Sequence, residues 1–305
     1  MYYILYGFLY LISLLPSFLL YGLSDLVAFI LYRVAGYRKA IVEGNLAIAF
    51  PEKTEAERKV IASKFYRNLT DTFIESIQML SMSDARIQKR ATINGEAVRA
   101  LEASGKNIQY HSGHQMNWEY GNYAVAKNSG IPFIAIYMRI KNKAVDRLFV
   151  KLRSRPGSVM IAAQDFKSRM HNVFNNQYAI GLVADQNPGV PSNAYWLNFF
   201  GRPTPFVTGP DKGARRNKVA VVFVKFTKIK RGYYHFHQEV ITDDASSWTE
   251  GMLTRRYRDF LEQAIREQPE NYLWSHRRWK WGWDNSYARR WIDEKKTPLQ
   301  EPEVM

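Results

Sequence analysis

The first 32 residues contain a single charged side chain, Asp25, and no other feature of the sequence restricts the possible folds as strongly. Residues 1–24 read MYYILYGFLYLISLLPSFLLYGLS, which is about enough apolar helix to cross the hydrocarbon core of a bilayer. The segment also contains five tyrosines, a residue type that favours the interface between lipid and water. We therefore predict that residues 1–32 form a membrane-anchoring helix.

Other arrangements of this segment remain open. Pro16 and Asp25 also permit two short helices that enter one leaflet, and an aromatic-rich core helix of a soluble domain has a similar composition. A cleaved signal peptide is disfavoured, because signal peptides start with basic residues and the first basic residue here is Arg33. A basic connector over residues 33–53 follows, and the positive-inside rule places the body of the protein in the cytoplasm.

Composition excludes several classes of protein. The 305 residues include 43 Lys and Arg against 28 Asp and Glu, a net charge of +15, and no cysteine. The missing cysteines exclude disulfides, thiolate nucleophiles and iron–sulfur clusters, and the negative mean hydropathy excludes a polytopic membrane protein. Positive charge beside an apolar anchor favours an anionic lipid partner. Nucleic acid is disfavoured, because duplex-binding proteins rarely begin with a lipid-soluble helix.

Beyond the connector, the sequence alternates between strand-like and helix-like segments. A long helix is predicted over residues 54–82, because Thr54 and Glu57 form a capping-box pattern and apolar residues recur every four positions. Strands are predicted over residues 108–111, 132–137, 158–162, 178–184, 219–226 and 233–240, and helices over 118–127, 144–153, 166–174 and 248–268. The alternation predicts an α/β fold with a mostly parallel central sheet flanked by helices. We predict one domain over residues 54–296 and a polar tail over 297–305.

A histidine and an acid, His114 and Glu119, lie five residues apart after the first predicted strand. In open α/β sheets, chemistry gathers beyond the carboxyl ends of the strands. The two side chains can meet if His114 lies in the loop and Glu119 in the first turn of the next helix. The carboxylate would then orient the imidazole as a general base for an alcohol. A histidine bonded in a turn, or a metal site that includes His111, remains an alternative.

Other segments supply candidate residues for binding a polar or anionic substrate. Arginine offers a planar fork to phosphate or carboxylate, but the same residues could also be solvated or complement a helix end. An Asp-Gln-Asn run that follows an apolar strand could line an active-site edge, or its aspartate could cap a turn. The six predicted binding residues are Arg139, Arg155, Asp185, Gln186, Asn187 and Arg202.

Two further stretches are unusually basic. Residues 208–231 contain eight basic residues and one acid, which suits an anionic partner or a solvated face. Residues 271–283 place four tryptophans among His276, Arg277, Arg278 and Lys280. Cation–π stacking and a membrane interface would both suit this second stretch.

Taken together, these segments resemble the lipid A biosynthesis acyltransferases, the late lauroyl- and myristoyl-type enzymes of the glycerolipid and lysophospholipid acyltransferase superfamily. The resemblance covers nearly the whole chain. Besides the apolar N-terminal segment, it is carried in family order by NLAIAFP (45–51), HQMNWE (114–119), YMR with KN (137–142), RSR (153–155), ADQNP (184–188), FFGRP with TG (199–209) and WSHRR (274–278). The YMR block departs from the Tyr-Arg-Pro of many members, because Arg139 stands one position later than the family's arginine.

The resemblance implies a membrane-associated O-acyltransferase at the cell inner membrane, with its catalytic domain on the cytoplasmic side. It implies an acyl thioester donor, either acyl carrier protein or acyl-CoA, an anionic lipid A precursor as acceptor, and no other cofactor or metal. The family's His-x4-acid pair maps onto His114 and Glu119, and its block-two arginine onto Arg139. A lysophospholipid or other glycolipid acyltransferase is the alternative enzyme. A membrane adaptor that binds anionic lipid is the alternative without catalysis.

Overall fold

The computed structural model describes residues 1–166, 168–169 and 175–294. Its helices are α1 (Tyr2–Ser13), α2 (Ser17–Phe29, continued by a π-helical turn over Ile30–Val34), α3 (Lys39–Ala49), α4 (Glu55–Gln78), α5 (Asp84–Arg90), α6 (Glu96–Ala103), α7 (Trp118–Asn128), α8 (Lys143–Ser154), α9 (Gly209–Arg216) and α10 (Met252–Glu267). Its strands are β1 (Ala91–Ile93), β2 (Ile108–Ser112), β3 (Phe133–Tyr137), β4 (Val159–Ala162), β5 (Ala179–Val183), β6 (Tyr195–Phe199), β7 (Arg202–Phe206), β8 (Ala220–Lys230) and β9 (Tyr233–Thr242).

Seven strands form the central sheet in the order β1-β9-β8-β2-β5-β3-β4. The five strands from β8 to β4 pair in parallel, whereas β9 runs antiparallel to β8 and β1 runs parallel to β9. Alternate residues of β8 belong to two apolar cores, with Val221 and Phe223 in one and Val222 and Val224 in the other. Successive strand residues point to opposite faces, so each face of the sheet carries a core. The predicted α/β fold with a mostly parallel sheet is confirmed.

The predicted long helix is confirmed as α4, and its first turn shows why it begins there. The Thr54 hydroxyl accepts the backbone N–H of Glu57, and the Glu57 carboxylate accepts the backbone N–H of Thr54. This capping box satisfies two N–H groups that a helix start leaves unpaired. The helix ends at Gln78, four residues before the predicted end at 82.

Several elements were not predicted. These are the short edge strand β1, helix α3 within the basic connector, the short helices α5, α6 and α9, and the antiparallel hairpin of β6 and β7. Of the predicted helix over 166–174, the structure describes residues 166, 168 and 169. The predicted polar tail over 297–305 lies outside the described residues. The predicted boundaries between anchor, connector and domain stay predictions.

The apolar N-terminal segment forms two helices, which are interrupted between Leu14 and Pro16. Both helices pack against α4, and α1 also packs against α8. Leu20 and Ser24 are buried in this packing, whereas Phe8 and Phe18 on other faces are 61% and 73% exposed. Among the described residues, Ser17–Val34 is the helical stretch that is long and apolar enough to cross a membrane, by length and composition alone.

Candidate active site

The carboxyl ends of β2 and β5 bring together two residues that are 71 positions apart, His114 and Asp185. The strands pair in parallel with Ser112 opposite Val183, so the residues two positions beyond each strand become neighbours. His114 Nδ1 lies 2.6 Å from Asp185 Oδ1, and the backbone N–H of His114 donates to Oδ2 at 2.9 Å. Both oxygens of one carboxylate therefore hold the histidine in place.

A glycine allows this close approach of the two loops. A Cβ atom on Gly113 would lie 2.5 Å from Leu261 Cδ1 and 3.7 Å from Asp185 Oδ2. The first distance is far below van der Waals contact, so a side chain at this position would require the Leu261 side chain to shift. The missing side chain at Gly113 therefore allows His114 to lie close to Asp185.

The charge of Asp185 determines which nitrogen of His114 is available. Asp185 is 1% exposed, and burial alone would raise its pKa. Attraction to His114, with hydrogen bonds from the His114 ring and backbone and from Tyr272, instead lowers the pKa of Asp185 to about 2. The ionised carboxylate can only accept hydrogen bonds, so Nδ1 of His114 carries a proton. In the neutral ring, Nε2 is then the basic nitrogen.

The basic nitrogen lies on the side of the ring away from the buried carboxylate. The His114 side chain is 25% exposed, and its Nε2 is 3.1 Å from the Gln186 amide nitrogen. The indole of Trp118 approaches the imidazole edge-on, with ring centroids 6.3 Å apart. An accessible imidazole nitrogen that is backed by a buried carboxylate can act as a general base.

The predicted contact between His114 and Glu119 is not formed. Glu119 is 3% exposed, and its carboxylate accepts hydrogen bonds from Arg153 at 2.9 and 2.5 Å and from the Trp118 indole at 3.1 Å. The Asn117 side chain caps α7 by accepting the backbone N–H of Glu119, which fixes the acid in the first turn. Glu119 therefore pairs with α8, and it reaches the imidazole only through Trp118.

The three predicted binding arginines lie in different surroundings. Arg139 is 55% exposed and pairs with Asp165 at 2.5 Å. Arg155 donates to the carbonyl oxygens of Met79 and Met82 and to the Asp84 carboxylate, so its guanidinium holds the end of α4. Arg202 is exposed at the start of β7, and within the described residues it forms no ion pair. The structure does not bring any of the three into hydrogen-bond contact with His114.

The loop after Asp185 is held by the segment 274–278. The backbone N–H of Asn187 donates to His276 Nε2 at 3.2 Å, and its side-chain amide donates to the Arg277 carbonyl. Arg278, which is 1% exposed, donates to Asn187 Oδ1 at 3.1 Å. Of the predicted binding residues, Asp185, Gln186 and Asn187 are thus the three at the imidazole site.

The alternative metal site is not assembled. His111 is 1% exposed and stacks on Phe223 at 5.6 Å, and burial lowers its pKa to about 3. It lies on β2 inside the core and does not share ligands with His114. Within residues 1–166, 168–169 and 175–294, no group of three or more histidine, aspartate or glutamate side chains is placed to hold a metal ion.

Sequence analysis missed Arg153, Tyr272 and His276 as parts of this site. Arg153 and His276 lie in the RSR and WSHRR blocks, so the sequence marked both positions. It did not indicate which residues they contact. The partners of all three are far away in the sequence: Glu119 for Arg153, Asp185 for Tyr272, and Asn187 for His276.

The chain is similar to known proteins over most of its length. The model of a family described as bacterial lipid A biosynthesis acyltransferase matches residues 1–281. The chain is 26% identical over 283 residues to the lipid A biosynthesis lauroyltransferase of Escherichia coli K12, covering 90% of this chain and 89% of the relative. It is 21% identical over 246 residues to the palmitoleoyltransferase of the same bacterium, covering 80% and 79%. It is 24% identical over 275 residues to a lipid A biosynthesis acyltransferase of Haemophilus influenzae, covering 88% and 83%.

Proposed function

The chain belongs to the bacterial lipid A biosynthesis acyltransferase family, and from this premise we propose that it acylates a hydroxyl group of a lipid A precursor. The donor is an acyl thioester. The acceptor oxygen forms the new ester bond with the acyl carbon, the C–S bond breaks, and the hydroxyl proton passes to the departing thiolate. The products are an ester and a free thiol, and the step needs no covalent enzyme intermediate.

The observation that carries this proposal is the pairing of His114 with Asp185. Nδ1–H of His114 donates to a buried, ionised carboxylate, which makes Nε2 the nitrogen that accepts the proton of the acceptor hydroxyl when that hydroxyl takes the place of the Gln186 amide, 3.1 Å away. The same carboxylate stabilises the imidazolium that forms, and the imidazolium then returns the proton to the thiolate. General base catalysis of this kind contributes roughly 10²–10⁴-fold to the rate.

Glu119 and Arg153 act as positioning residues in this proposal. Their ion pair is largely buried, with side-chain exposures of 3% and 19%. It holds the indole N–H of Trp118, whose ring packs at the edge of the imidazole. A displaced Trp118 would leave the His114 ring free to rotate away from the acceptor.

The oxyanion of the tetrahedral intermediate needs hydrogen-bond donors. Arg139 and the N–H groups at the start of α7 are candidate donors that follow His114 in the sequence. Arg139 is paired with Asp165, and the N–H groups of Glu119 and Tyr120 donate to Asn117. We therefore leave these groups out of the proposed mechanism and keep Gln186, whose amide lies at the imidazole, as a substrate-binding residue.

Acyl carrier protein is the donor that the charge of the chain favours. The chain carries a net charge of +15, whereas acyl carrier protein is acidic. Complementary charge accelerates the encounter of two proteins and orients it. The basic stretch 208–231 supplies part of this charge.

The outer faces of α1 and α2 supply the proposed membrane contact. Large apolar side chains on these helices are mostly exposed, including Phe8, Leu11, Phe18, Leu26 and Phe29 at 55–73%. A continuous apolar surface of this kind marks a protein or membrane contact. Lys and Arg residues at its edge, such as Arg147 over Tyr2 at 4.3 Å and Lys151 over Tyr6 at 4.3 Å, suit anionic headgroups.

Polar contacts favour entry into one leaflet over a full span. Ser24 donates to the buried Asp71 at 2.8 Å, Asp25 pairs with Arg231 at 2.8 Å, and Tyr21 donates to Glu75 at 3.1 Å. A helix that crossed the bilayer would have to leave these partners, and buried charges without partners are costly. We propose that α1 and α2 lie along the domain, on the cytoplasmic side of the inner membrane.

Lipid analysis tests the proposed reaction. Purified protein in mixed micelles is incubated with acyl carrier protein or coenzyme A thioesters and with either a lipid A precursor or a lysophospholipid, and products are identified by mass spectrometry. We expect one added acyl chain on the lipid A precursor. Acylation of the lysophospholipid alone would support the alternative acceptor, and acylation of neither would support the non-catalytic adaptor.

A further inference from the structure

A second concave site opens beside the imidazole site, with a cavity volume of about 580 Å³. On one side it is bounded by the connector after the apolar helices, and on the other by the loop after β5. Its lining includes Arg38, Asn187, His276, Arg277, Lys280 and Trp281. The pocket thus lies between the proposed membrane surface and the loop that contacts His114.

The positive charges of this pocket have no acidic counterparts. No carboxylate lines it, and among the described residues Arg38, Arg277 and Lys280 form no ion pair. Arg38 donates to the Ser275 carbonyl at 2.9 Å, and the Lys280 ammonium lies 4.2 Å from the ring centroid of Trp281. Elsewhere on this protein, many basic side chains find carboxylates. Three exposed cations that do not are available to an anionic ligand.

A buried guanidinium adds to the positive potential of this pocket. Arg278 is 1% exposed, and its two hydrogen bonds go to neutral oxygens of Asn187 and Pro205 at 3.1 and 3.0 Å. Its Nε and Nη2 atoms have no hydrogen-bond partner. Asn187 lines the pocket, so the guanidinium lies directly behind that wall. The guanidinium also lies over the rings of Phe206 and Phe199, at 4.3 and 5.4 Å, and an anion in the pocket would add to this partial compensation of its buried charge.

His276 also lines this pocket. Burial lowers its pKa to about 4, and Arg278, His114 and Arg38 act in the same direction against the attraction of Asp185. The neutral ring accepts the Asn187 backbone N–H at 3.2 Å. Burial first, and then the neighbouring positive charges, therefore keep His276 uncharged in this pocket.

We propose that this pocket binds a phosphate group of the acceptor lipid. This rests on the proposed acyl transfer, in which the donor arm also carries phosphate. The acceptor is favoured by position, because Arg38 follows the apolar helices while Gln186, the residue before Asn187, contacts the His114 ring. A lipid that enters from the bilayer meets the three cations with its headgroup and places a hydroxyl near Nε2.

Steady-state kinetics of an R277Q/K280Q variant tests the assignment, with phosphorylated and enzymatically dephosphorylated acceptor. We expect KM for the phosphorylated acceptor to rise about 10- to 100-fold, with kcat nearly unchanged, because each charge-assisted hydrogen bond contributes about 1.5–3 kcal/mol and solvent exposure reduces this. KM for the dephosphorylated acceptor and for the donor should not change. The matched control is K89Q/R99Q, which removes two exposed cations on α5 and α6 that form no ion pair with any described residue.

A second pair of variants adds a negative charge to the pocket instead of removing positive charges. A Cβ atom on Gly189 would meet no atom within 4 Å, so this pocket residue can accept a side chain. Gly189→Glu places a carboxylate at the pocket, and it should raise the acceptor KM well above that of the isosteric Gly189→Gln. Equal KM values for the two would contradict the proposal.

Direct binding separates this proposal from the acyltransferase assignment. Calorimetric titration with inorganic phosphate at constant ionic strength should show binding to the wild type and to K89Q/R99Q, and at least tenfold weaker binding to R277Q/K280Q. That result supports the pocket even if no acceptor is acylated. Unchanged phosphate binding in R277Q/K280Q overturns it while acyl transfer stands. A higher KM for the donor alone would overturn the assignment to the acceptor and give the pocket to the donor arm.

Discussion

Nδ1 of His114 lies 2.6 Å from Oδ1 of Asp185, a carboxylate that comes from the neighbouring strand's loop and is 1% exposed. The pair is directional, because the ionised carboxylate fixes the proton on Nδ1 and leaves Nε2 as the proton acceptor. Asp185 rather than Glu119 is therefore the acid that orients the proposed base.

Asp185→Asn should lower kcat by on the order of 10²–10⁴-fold with the fold intact. The asparagine amide can donate to Nδ1, which would move the proton to Nε2 and remove the base. Purified variants are compared by initial rate and by thermal unfolding. The matched control is Asp211→Asn, which changes another buried, ion-paired aspartate on α9 and should retain wild-type kcat. An Asp185→Asn enzyme with wild-type kcat would contradict the assigned role.

Glu119 and Arg153 should behave as one unit in a double-mutant cycle. Either single change, Glu119→Gln or Arg153→Gln, leaves a largely buried charge unpaired, which costs about 3–5 kcal/mol of stability. The double variant should cost clearly less than the sum of the two single changes, as measured by urea unfolding. The exposed pair of Lys59 and Glu55 serves as the control cycle and should show no measurable coupling. Additive effects at Glu119 and Arg153 would show that their contact is not energetically important.

Protein stability should fall as the pH drops below about 6.5. Burial lowers the pKa of His111 to about 3 and that of His276 to about 4 in the folded state, so the unfolded chain binds protons first. Each such histidine then contributes a slope of up to about 1.4 kcal/mol per pH unit between pH 6.5 and its folded pKa. His111→Gln should reduce this slope, while a change of the exposed His237 to Gln should not. An unchanged slope in His111→Gln would contradict a buried neutral His111.

The position of α1 and α2 can be tested with a single cysteine, because the chain contains none. A cysteine inserted after Met1 and a separate Ser104→Cys variant, which marks the domain surface, are exposed to a membrane-impermeant thiol reagent. Entry into one leaflet predicts that both react from the cytoplasmic side, in inverted vesicles. Reaction of the N-terminal cysteine only from the opposite side would show that the segment spans the membrane.

The sheet and its loops were predictable because periodicity and strand-to-loop transitions are local. The pairing within the site was not. His114 and Asp185 were both candidates, but only the strand order, with β2 beside β5, makes them neighbours. The five-residue spacing suggested Glu119 as a partner. In the structure, the Asn117 cap fixes Glu119 in the first turn of α7, and its carboxylate accepts hydrogen bonds from Arg153.

The sequence also did not indicate the contacts of Arg155 or of the apolar N-terminal segment. Arg155 resembled a phosphate ligand, yet its partners are carbonyl oxygens at the end of α4, more than 70 residues earlier. For residues 1–32, the composition predicted a membrane-anchoring helix. The polar face of Tyr21, Ser24 and Asp25, at helical spacing, is the signal that could have indicated docking onto the domain.

Single-turnover acyl transfer by a His114→Ala variant tests the central claim most directly. Wild-type and variant enzymes, with equal thermal stability, are mixed with a radiolabelled acyl thioester and the lipid A precursor, and the labelled lipid is measured over time. We expect the variant to bind both substrates and to form no labelled product above the uncatalysed background. Product formation at a rate near that of the wild type would show that another group removes the hydroxyl proton.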